Sequence, residues 1–419
     1  MRNRRERIWY VSKYANIAKY GADTRQAYFC KEFAKKGYDV TLLLSNSSHL
    51  YSTLPQFRGL FKKESYDGVD VVWLNTIKYK HPNSVFRILS WIHFEFLALI
   101  YGFKNRKAKP DVVIASSLSI LSTISGSAFK RCFGSKFIFE VRDIWPQSLI
   151  ELKGLKRNHP LVRVLSWVEK LGYKKSDAIV GTMGKLGIHV EKQIGEFKNV
   201  TCIPHGVSVE FYEKEQMKIE EGYVARYFSD TKPNLVYAGS FNQAYKLSRF
   251  IALAKDAKGI DVNVVLIGDG PEADKHKEQS KSIINVTIAP KVDRAALNSV
   301  LQHADVLLHS FDEKPVFMYG VSPNKFVDYM YAGKPTVCIG NVYCPMLEES
   351  GAGIVIAPDD GNAFYECVND YLNLPREQKE ELGARSRQYI LNELSYEKLA
   401  EKNSELFINM SLKPTCSCR

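Results

Sequence analysis

One stretch of the chain gathers the groups needed to hold a polyanion. GVSPNKFVD, Gly320–Asp328, follows the apolar run DVLLHS and reads as the start of a helix. Ser322 is placed for the N-cap and Pro323 for the first helical position. The backbone N–H groups near Asn324 and Lys325 would then lack intrahelical acceptors, and with the helix dipole they make an anion site suited to a diphosphate. Lys325 adds a full positive charge. Asp328 stands one turn on, where a carboxylate accepts hydrogen bonds from ribose hydroxyls. An ordinary capped helix with solvent-facing Lys and Asp fits the same residues.

Two further turns have the composition of ligand loops. Gly268, Asp269 and the Gly-Pro-Glu that follows them come after the run VNVVLI, where glycine lets backbone approach a ligand closely. Gly239 and Ser240 bend the chain after NLVYA, and Lys246 follows as a cation. Either is equally readable as a plain structural turn. In the first half, Glu140, Arg142 and Asp143 end the apolar run KFIFEV, and WP follows directly. Glu140 can point into packing while Arg142 and Asp143 alternate faces. Gly21 and Arg25 lie in a small basic loop that could meet phosphate. No HxxxH, Cys–His cluster, DxD triplet, GxxxxGK[ST] loop or GxGxxG after the first strand occurs, so no resident metal or cofactor is expected.

Alternating strands and helices must position these residues. In the first half, apolar runs occur at Arg7–Val11, Asp39–Ser45, Val69–Asn75, Asp111–Ser116, Lys136–Val141, Asp177–Gly181 and Val200–Pro204. Near-continuous runs such as DVVIAS fit parallel strands buried on both faces, with helical segments such as 24–36 between them. The segment 211–233 is charged and has no buried run, so it reads as a linker. The alternation then restarts and closes on helices near 376–392 and 396–410. The expectation is an α/β protein of two Rossmann-like, doubly wound domains facing across a cleft, 1–210 and 211–393, with a helix and tail over 394–419 packing back toward the first. Ligands of such sheets bind beyond the carboxyl ends of the strands.

At 419 residues and 45% hydrophobic content the chain is long and apolar enough for two or three globular domains. Residues 1–210 carry 34 Lys and Arg against 17 Asp and Glu, a net +17, whereas residues 211–419 carry 24 against 29, a net −5. The basic half is suited to polyanions. It lacks the repeated aromatic–basic ladder of a single-strand nucleic-acid groove, so no nucleic acid is expected as a partner. Eight cysteines show no metal-ligand spacing and fit a reducing cytoplasm; Cys416 and Cys418 lie on the tail. The opening MRNRRERIWYVSKYA runs into a strand with no small-residue cleavage site, so no signal peptide is expected. Residues 83–109 pair an aromatic stretch, SWIHFEFLALIYGF, with the basic run KNRKAK. His93 and Glu95 interrupt the stretch, and a core helix or a membrane-surface helix is expected rather than a span.

Taken together the motifs resemble a bacterial glycosyltransferase of family 4, with the two-Rossmann GT-B architecture. The resemblance covers nearly the whole chain: GADTRQAYFCKEFAKKGYDVTLL, EVRDIWPQSL, CIPHGV, LVYAGS, VLIGDGPE, HADVLLHSF and VSPNKFVDYMYAGKPTV. EVRDIWP with SPNKxxDYMxAGKP is similar to the subgroup that builds O-antigen, capsule or exopolysaccharide units on a lipid carrier. The resemblance implies that Asp328 holds the donor ribose and that Ser322, Pro323, Asn324 and Lys325 bind the diphosphate. It places Gly268 and Asp269 near the base, with Gly239 and Ser240 also on the donor side. Gly21, Arg25, Glu140 and Arg142 fall on the acceptor side, where Asp143 would orient or deprotonate the attacking hydroxyl. Three departures stand out. Gly320 occupies the place of the first acid of E-x7-E. The Arg-x4-Lys pair falls on Ser240 and Tyr245, with Lys246 one place late and Lys325 available to supply the charge. Pro204-His205-Gly-Val-Ser208 stands for Pro-Asn-Gly-Val-Asp.

The implied reaction is retaining, metal-independent transfer of a sugar, an N-acetylated or deoxy hexose, from a UDP-sugar to a polyprenyl-diphosphate-linked saccharide. Lys325 and Lys246 would stabilise the leaving group. The protein would sit on the anionic inner face of the plasma membrane, in surface-polysaccharide or lipopolysaccharide biosynthesis. The alternatives are a non-catalytic, membrane-peripheral nucleotide-sugar-binding protein and a UDP-sugar epimerase of the same architecture.

Overall fold

The computed structural model describes residues 4–51, 53–81, 84–214, 217–256 and 260–412. Cys416 and Cys418 lie outside them, as does the start of the 83–109 stretch. The chain divides into two compact units, the first running to Pro204 and resuming at Tyr396, the second spanning His205–Ser395.

The first unit is built on strands β1 (Arg7–Val11), β2 (Asp39–Ser45), β3 (Phe61–Tyr66), β4 (Val69–Leu74), β5 (Val112–Ser116), β6 (Lys136–Val141), β7 (Ala178–Gly181) and β8 (Val200–Cys202). They form one sheet in the order β3-β4-β2-β1-β5-β6-β7-β8. All neighbours are parallel except β3, which pairs antiparallel with β4 at the edge. The β1 side chains alternate between two cores, Ile8 and Tyr10 to one and Trp9 and Val11 to the other. Helix α1 (Arg25–Lys35) covers the first face together with the helix Tyr396–Leu412; Tyr28 stacks on Tyr396 with centroids 4.6 Å apart. Helices α2 (Val85–Lys104) and α3 (Ser122–Phe133) cover the other, through Phe94, Leu97, Tyr101 and Phe129.

α2 has the length and composition to cross a membrane, more than the interrupted stretch led us to expect. Its inward face is nevertheless part of the protein core. Its outward face exposes Val85, Phe86, Leu89, Ile92, Phe96 and Phe103. At 100° per residue these side chains fall within one arc of about 120°, which Lys104 enters only at the last residue of the helix.

The second unit is a six-stranded parallel sheet, β9 (Asn234–Ser240), β10 (Asn263–Asp269), β11 (Val286–Ala289), β12 (Val306–Ser310), β13 (Thr336–Ile339) and β14 (Gly353–Ile356), in the order β11-β10-β9-β12-β13-β14. The segment expected as a linker belongs to this unit. It forms the short helices Val209–Lys214 and Tyr223–Tyr227, and Tyr212, Tyr223 and Phe228 are buried in the core. Three aromatic anchors outweigh its charged composition, and with Val207 in the same core they move the division from 210/211 to 204/205. At the other end Leu394 stays in this core and Tyr396 begins the last helix of the first unit.

Candidate functional site in the second unit

The β9 and β10 ends lie side by side in register, Gly268 opposite Gly239 and Asp269 opposite Ser240. A Cβ on Gly268 would stand 1.8 Å from the Gly239 carbonyl oxygen, so the two turns close to backbone contact only because Gly268 carries no side chain. The helix Asn324–Ala332 starts beside them, after β12. Together these ends enclose a cavity of about 580 Å3 lined by Gly239, Ser240, Gly268, Asp269, Asn324, Lys325 and Asp328. Seven residues drawn from three separate motifs therefore share one cavity, of a size suited to a small-molecule ligand.

Ser322 and Pro323 do not line it. The helix starts one residue later than expected: Pro323 is the N-cap residue, and the Ser322 hydroxyl instead accepts from the His205 backbone N–H at 2.8 Å. Pro323 has no N–H, so the backbone donors of this helix start are those of Asn324 and Lys325. Lys246 is also absent from the lining. Its ammonium pairs with Asp312 Oδ1 at 3.3 Å, held there by a left-handed backbone of φ 43°. The structure thus shows it tethering its own loop and does not bring it to the cavity wall, where the catalytic role expected of it would place it.

Lys325 is a half-buried cation at the cavity wall. Its Nζ donates to the Tyr237 hydroxyl at 2.7 Å and lies 3.9 Å from the centre of the Tyr245 ring and 4.5 Å from that of Tyr237. Tyr245 thus occupies the place where the resemblance calls for a lysine, and it supports the lysine that replaces it. Burial lowers the Lys325 ammonium to about 7, although Asp328 pulls the other way. His309, wholly buried between Tyr237 and Tyr245, is held neutral by burial and by the nearby Lys325 charge. Asp328 accepts from the Tyr212 hydroxyl and pairs with Arg294 at 3.5 Å. Burial keeps its carboxyl above the usual range against the pull of Arg294.

Residue reasoning missed Lys291, in the loop after β11, and Arg294, the first residue of the helix Arg294–Leu301 that follows, both of which line the cavity. Their strand was legible as INVTIA, but two cations after a strand carry no spacing signature. Tyr212 was passed over because it lay in the supposed linker.

The acceptor-side residues are in the first unit and play different parts. Arg25 and Glu140 form an ion pair at 3.0 Å with both side chains 1% exposed. Glu140 also accepts from Tyr10 at 2.8 Å and Ser116 at 2.6 Å, while Arg25 donates to the carbonyls of Ile203, at 2.7 Å, and Pro204. The pair ties α1 to β6 and to the chain leaving β8, and its assignment to acceptor binding is corrected. Asp143 Oδ2 accepts from Trp145 Nε1 at 2.7 Å, and Oδ1 accepts from the Ser148 hydroxyl. Both oxygens hold their own loop, so this carboxylate is not poised as a free base. Gly21 is exposed in a turn at φ 127°, and the Arg142 Nε is buried with no hydrogen-bond partner among the described residues.

Glu140→Gln is expected to lower stability by about 2 kcal/mol, the size of a charge-assisted buried hydrogen bond. Burial raises the Glu140 carboxyl, but Arg25, Arg142, Ser116 and Tyr10 together bring it below its ordinary value. Its ionised form therefore stabilises the fold above pH ~4.3, and this contribution disappears as pH falls through the lower folded-state value. Urea midpoints of wild type and variant should converge in acid; a constant gap from pH 7 down to 3 would refute the assignment.

The fold and the cavity together describe a glycosyltransferase of the GT-B architecture. Residues 20–206 match the glycosyl transferase 4-like domain and residues 232–373 match the glycosyl transferases group 1 domain, so the chain belongs to the glycosyltransferases. It is 20% identical over 292 residues to the probable glycosyltransferase WbjE of Pseudomonas aeruginosa, covering 67% of this chain and 71% of that one. Among solved structures, sucrose-phosphate synthase from Thermosynechococcus elongatus aligns with a TM-score of 0.69 at 15% identity, covering 97% of this chain and 99% of its own. An E. coli trehalose-6-phosphate protein bound with UDP-2-fluoro glucose aligns at 0.68 and 11% identity, covering 96% and 99%. Anabaena HepE in complex with UDP aligns at 0.62 and 11%, covering 96% and 100%.

Proposed function

We propose that the chain transfers a hexose, N-acetylated or deoxy, from a UDP-sugar to a polyprenyl-diphosphate-linked saccharide in the synthesis of a surface polysaccharide. The observation that carries this reading is the convergence of three glycine- and lysine-bearing turns on one cavity with a half-buried, ring-held ammonium at its wall. The diphosphate lies at the Asn324 and Lys325 N–H groups and the Lys325 charge, the ribose at Asp328, and the base toward Gly268 and Asp269. Negative charge grows on the diphosphate as the glycosidic bond breaks, and a fixed positive site stabilises that state in place of a divalent cation. Transfer proceeds with retention. UDP as the nucleotude is supported by HepE and the trehalose-6-phosphate protein, both solved with uridine diphosphate ligands. The surface-polysaccharide setting is supported by a structural likeness to WaaG, a glycosyltransferase involved in lipopolysaccharide biosynthesis.

The protein works at the cytoplasmic face of the plasma membrane. The apolar outward stripe of α2 and the cations at 104–109 that close it support this placement. Phe86→Ser/Ile92→Ser is expected to reduce co-sedimentation with anionic liposomes at low salt about tenfold, since two large apolar side chains leave the interface. Equal sedimentation of wild type and variant would contradict it. The reaction itself is tested by incubating UDP-hexoses with a prenyl-diphosphate-linked saccharide in EDTA. Labelled lipid product supports transfer; UDP binding without product, or conversion of free UDP-hexose without acceptor, would replace it with a binding protein or an epimerase.

A further inference from the structure

The first unit holds a second group of cations that the donor site does not use. Lys13, at the end of β1, is 1% exposed, and its Nζ lies 5.0 Å from the centre of the Tyr14 ring and 5.2 Å from that of Tyr79. His49 packs its ring against the same two, at 6.0 and 5.9 Å. Arg87, in the first turn of α2, donates from Nε to the Tyr14 hydroxyl at 3.1 Å. Lys78 approaches from the loop after β4, donating to the Asn46 carbonyl at 2.7 Å, one residue from the Ser47 carbonyl that accepts from Lys13.

Three groups able to carry positive charge, Lys13, His49 and Arg87, thus meet around one pair of tyrosines, and Lys78 stands close enough to Lys13 to act on its charge. Among the described residues none of Lys13, His49 and Lys78 has a carboxylate partner in an ion pair. The nearest acid, Glu95 on α2, is itself pushed up to about 8 by burial. Burial lowers Lys13 to about 7, and Arg87 and Lys78 add to that. His49 is lowered by burial, by Arg87 and by Lys13. Such mutual repulsion destabilises the free protein and is relieved by a bound anion.

What lies on either side narrows the anion's class. The Arg87 guanidinium covers the rings of Trp91, at 5.1 Å, and Trp145, at 5.9 Å, and Trp145 is the residue that holds Asp143. The exposed stripe of α2 begins at the same turn, with Val85 and Phe86 directly before Arg87, whose side chain leaves the helix 100° or more round from theirs. We infer that the cations gathered on the Tyr14–Tyr79 pair bind the diphosphate of a prenyl-linked acceptor whose hydrocarbon lies along the outward stripe of α2. The inference deepens the proposed function and rests on its lipid-linked acceptor. It moves the acceptor diphosphate away from Arg25 and Glu140, which are fully engaged with each other.

The test uses the full chain and tryptophan fluorescence, since Trp91 and Trp145 border the site. Farnesyl diphosphate, inorganic diphosphate, farnesol and UDP are titrated separately. Farnesyl diphosphate should bind more tightly than either of its parts. Arg87→Gln/Lys78→Gln should weaken it by about tenfold or more while UDP affinity in the second unit stays unchanged, and an unchanged urea unfolding curve shows that the variant's first unit is folded. Phe86→Ser should weaken farnesyl diphosphate and leave inorganic diphosphate unaffected. Equal binding of farnesyl diphosphate to wild type and the double variant would overturn the inference, as would farnesol or inorganic diphosphate binding as tightly as farnesyl diphosphate. Should the double variant not fold, Lys78→Gln alone, at an exposed position, decides by the same comparison. Loss of UDP binding with farnesyl diphosphate binding intact would sink the donor assignment and leave this site standing.

Discussion

Lys325→Ala is expected to cut sugar transfer by about 10²–10³-fold with the fold intact, the loss typical of removing one preorganised group that stabilises developing charge. The side chain is held by Tyr237 and Tyr245 and makes no ion pair among the described residues, and Asp328, which attracts it, keeps Arg294 as its partner when the lysine is removed. The same residue sets a pH dependence. With the ammonium lowered to about 7 by burial, the free protein carries the charge below that pH and loses it above. Affinity for a UDP-hexose, whose diphosphate does not titrate in this range, should therefore fall as pH rises from 6 to 9, by up to about tenfold per unit above 7. Binding in that range should take up a proton, detectable as a buffer-dependent heat. Lys325→Ala should bind weakly at every pH with no proton uptake. A wild-type affinity flat across that range would show that this ammonium does not face the diphosphate.

Gly268→Ala is expected to cost about 3 kcal/mol or more and to abolish nucleotide binding. Its φ is +152°, and the added methyl would meet the Gly239 carbonyl oxygen, a backbone atom on the neighbouring strand that cannot swing aside. Relief requires β9 and β10 to part at their ends, which opens the cavity they form. Gly195→Ala is the comparison: its φ is +74°, and a Cβ there meets nothing within 4 Å. Strain alone should cost about 1 kcal/mol at that site. Urea midpoints separate the two, and equal losses would mean that the β9–β10 contact is not what fixes this glycine.

The parallel core of both sheets was legible because its strands are uninterrupted apolar runs between helices. β3 was not, because FKKESY is an edge strand with Lys and Glu on it and pairs antiparallel with β4. Its charges protect a sheet edge and erase the apolar signal that reveals a buried strand. The reading of 211–233 as linker failed for a related reason. Composition averages over a segment, whereas Tyr212 and Tyr223 anchor it individually. In the cavity, glycine turns and a helix start could be located because backbone geometry restricts residue type at each. Side-chain direction could not be located. Lys246 and Lys325 are both lysines after a strand; one pairs with Asp312 and the other enters the cavity. Glu140 and Asp143 likewise stood as two carboxylates at a strand end, one readable as packing and the other as facing a cleft, and only their partners show a buried tie and a carboxylate that holds its own loop.

Thermal denaturation of the intact chain with UDP, GDP, CMP or no ligand, all in EDTA, tests the central claim most directly. A ligand at ~100 times its dissociation constant adds ~2.7 kcal/mol of stability, a readily measured rise in melting temperature. The account predicts such a rise with UDP, a much smaller one with GDP or CMP, and none with UDP in Lys325→Ala. A UDP-induced rise unchanged in Lys325→Ala, or one that appears only when a divalent cation is restored, would contradict it.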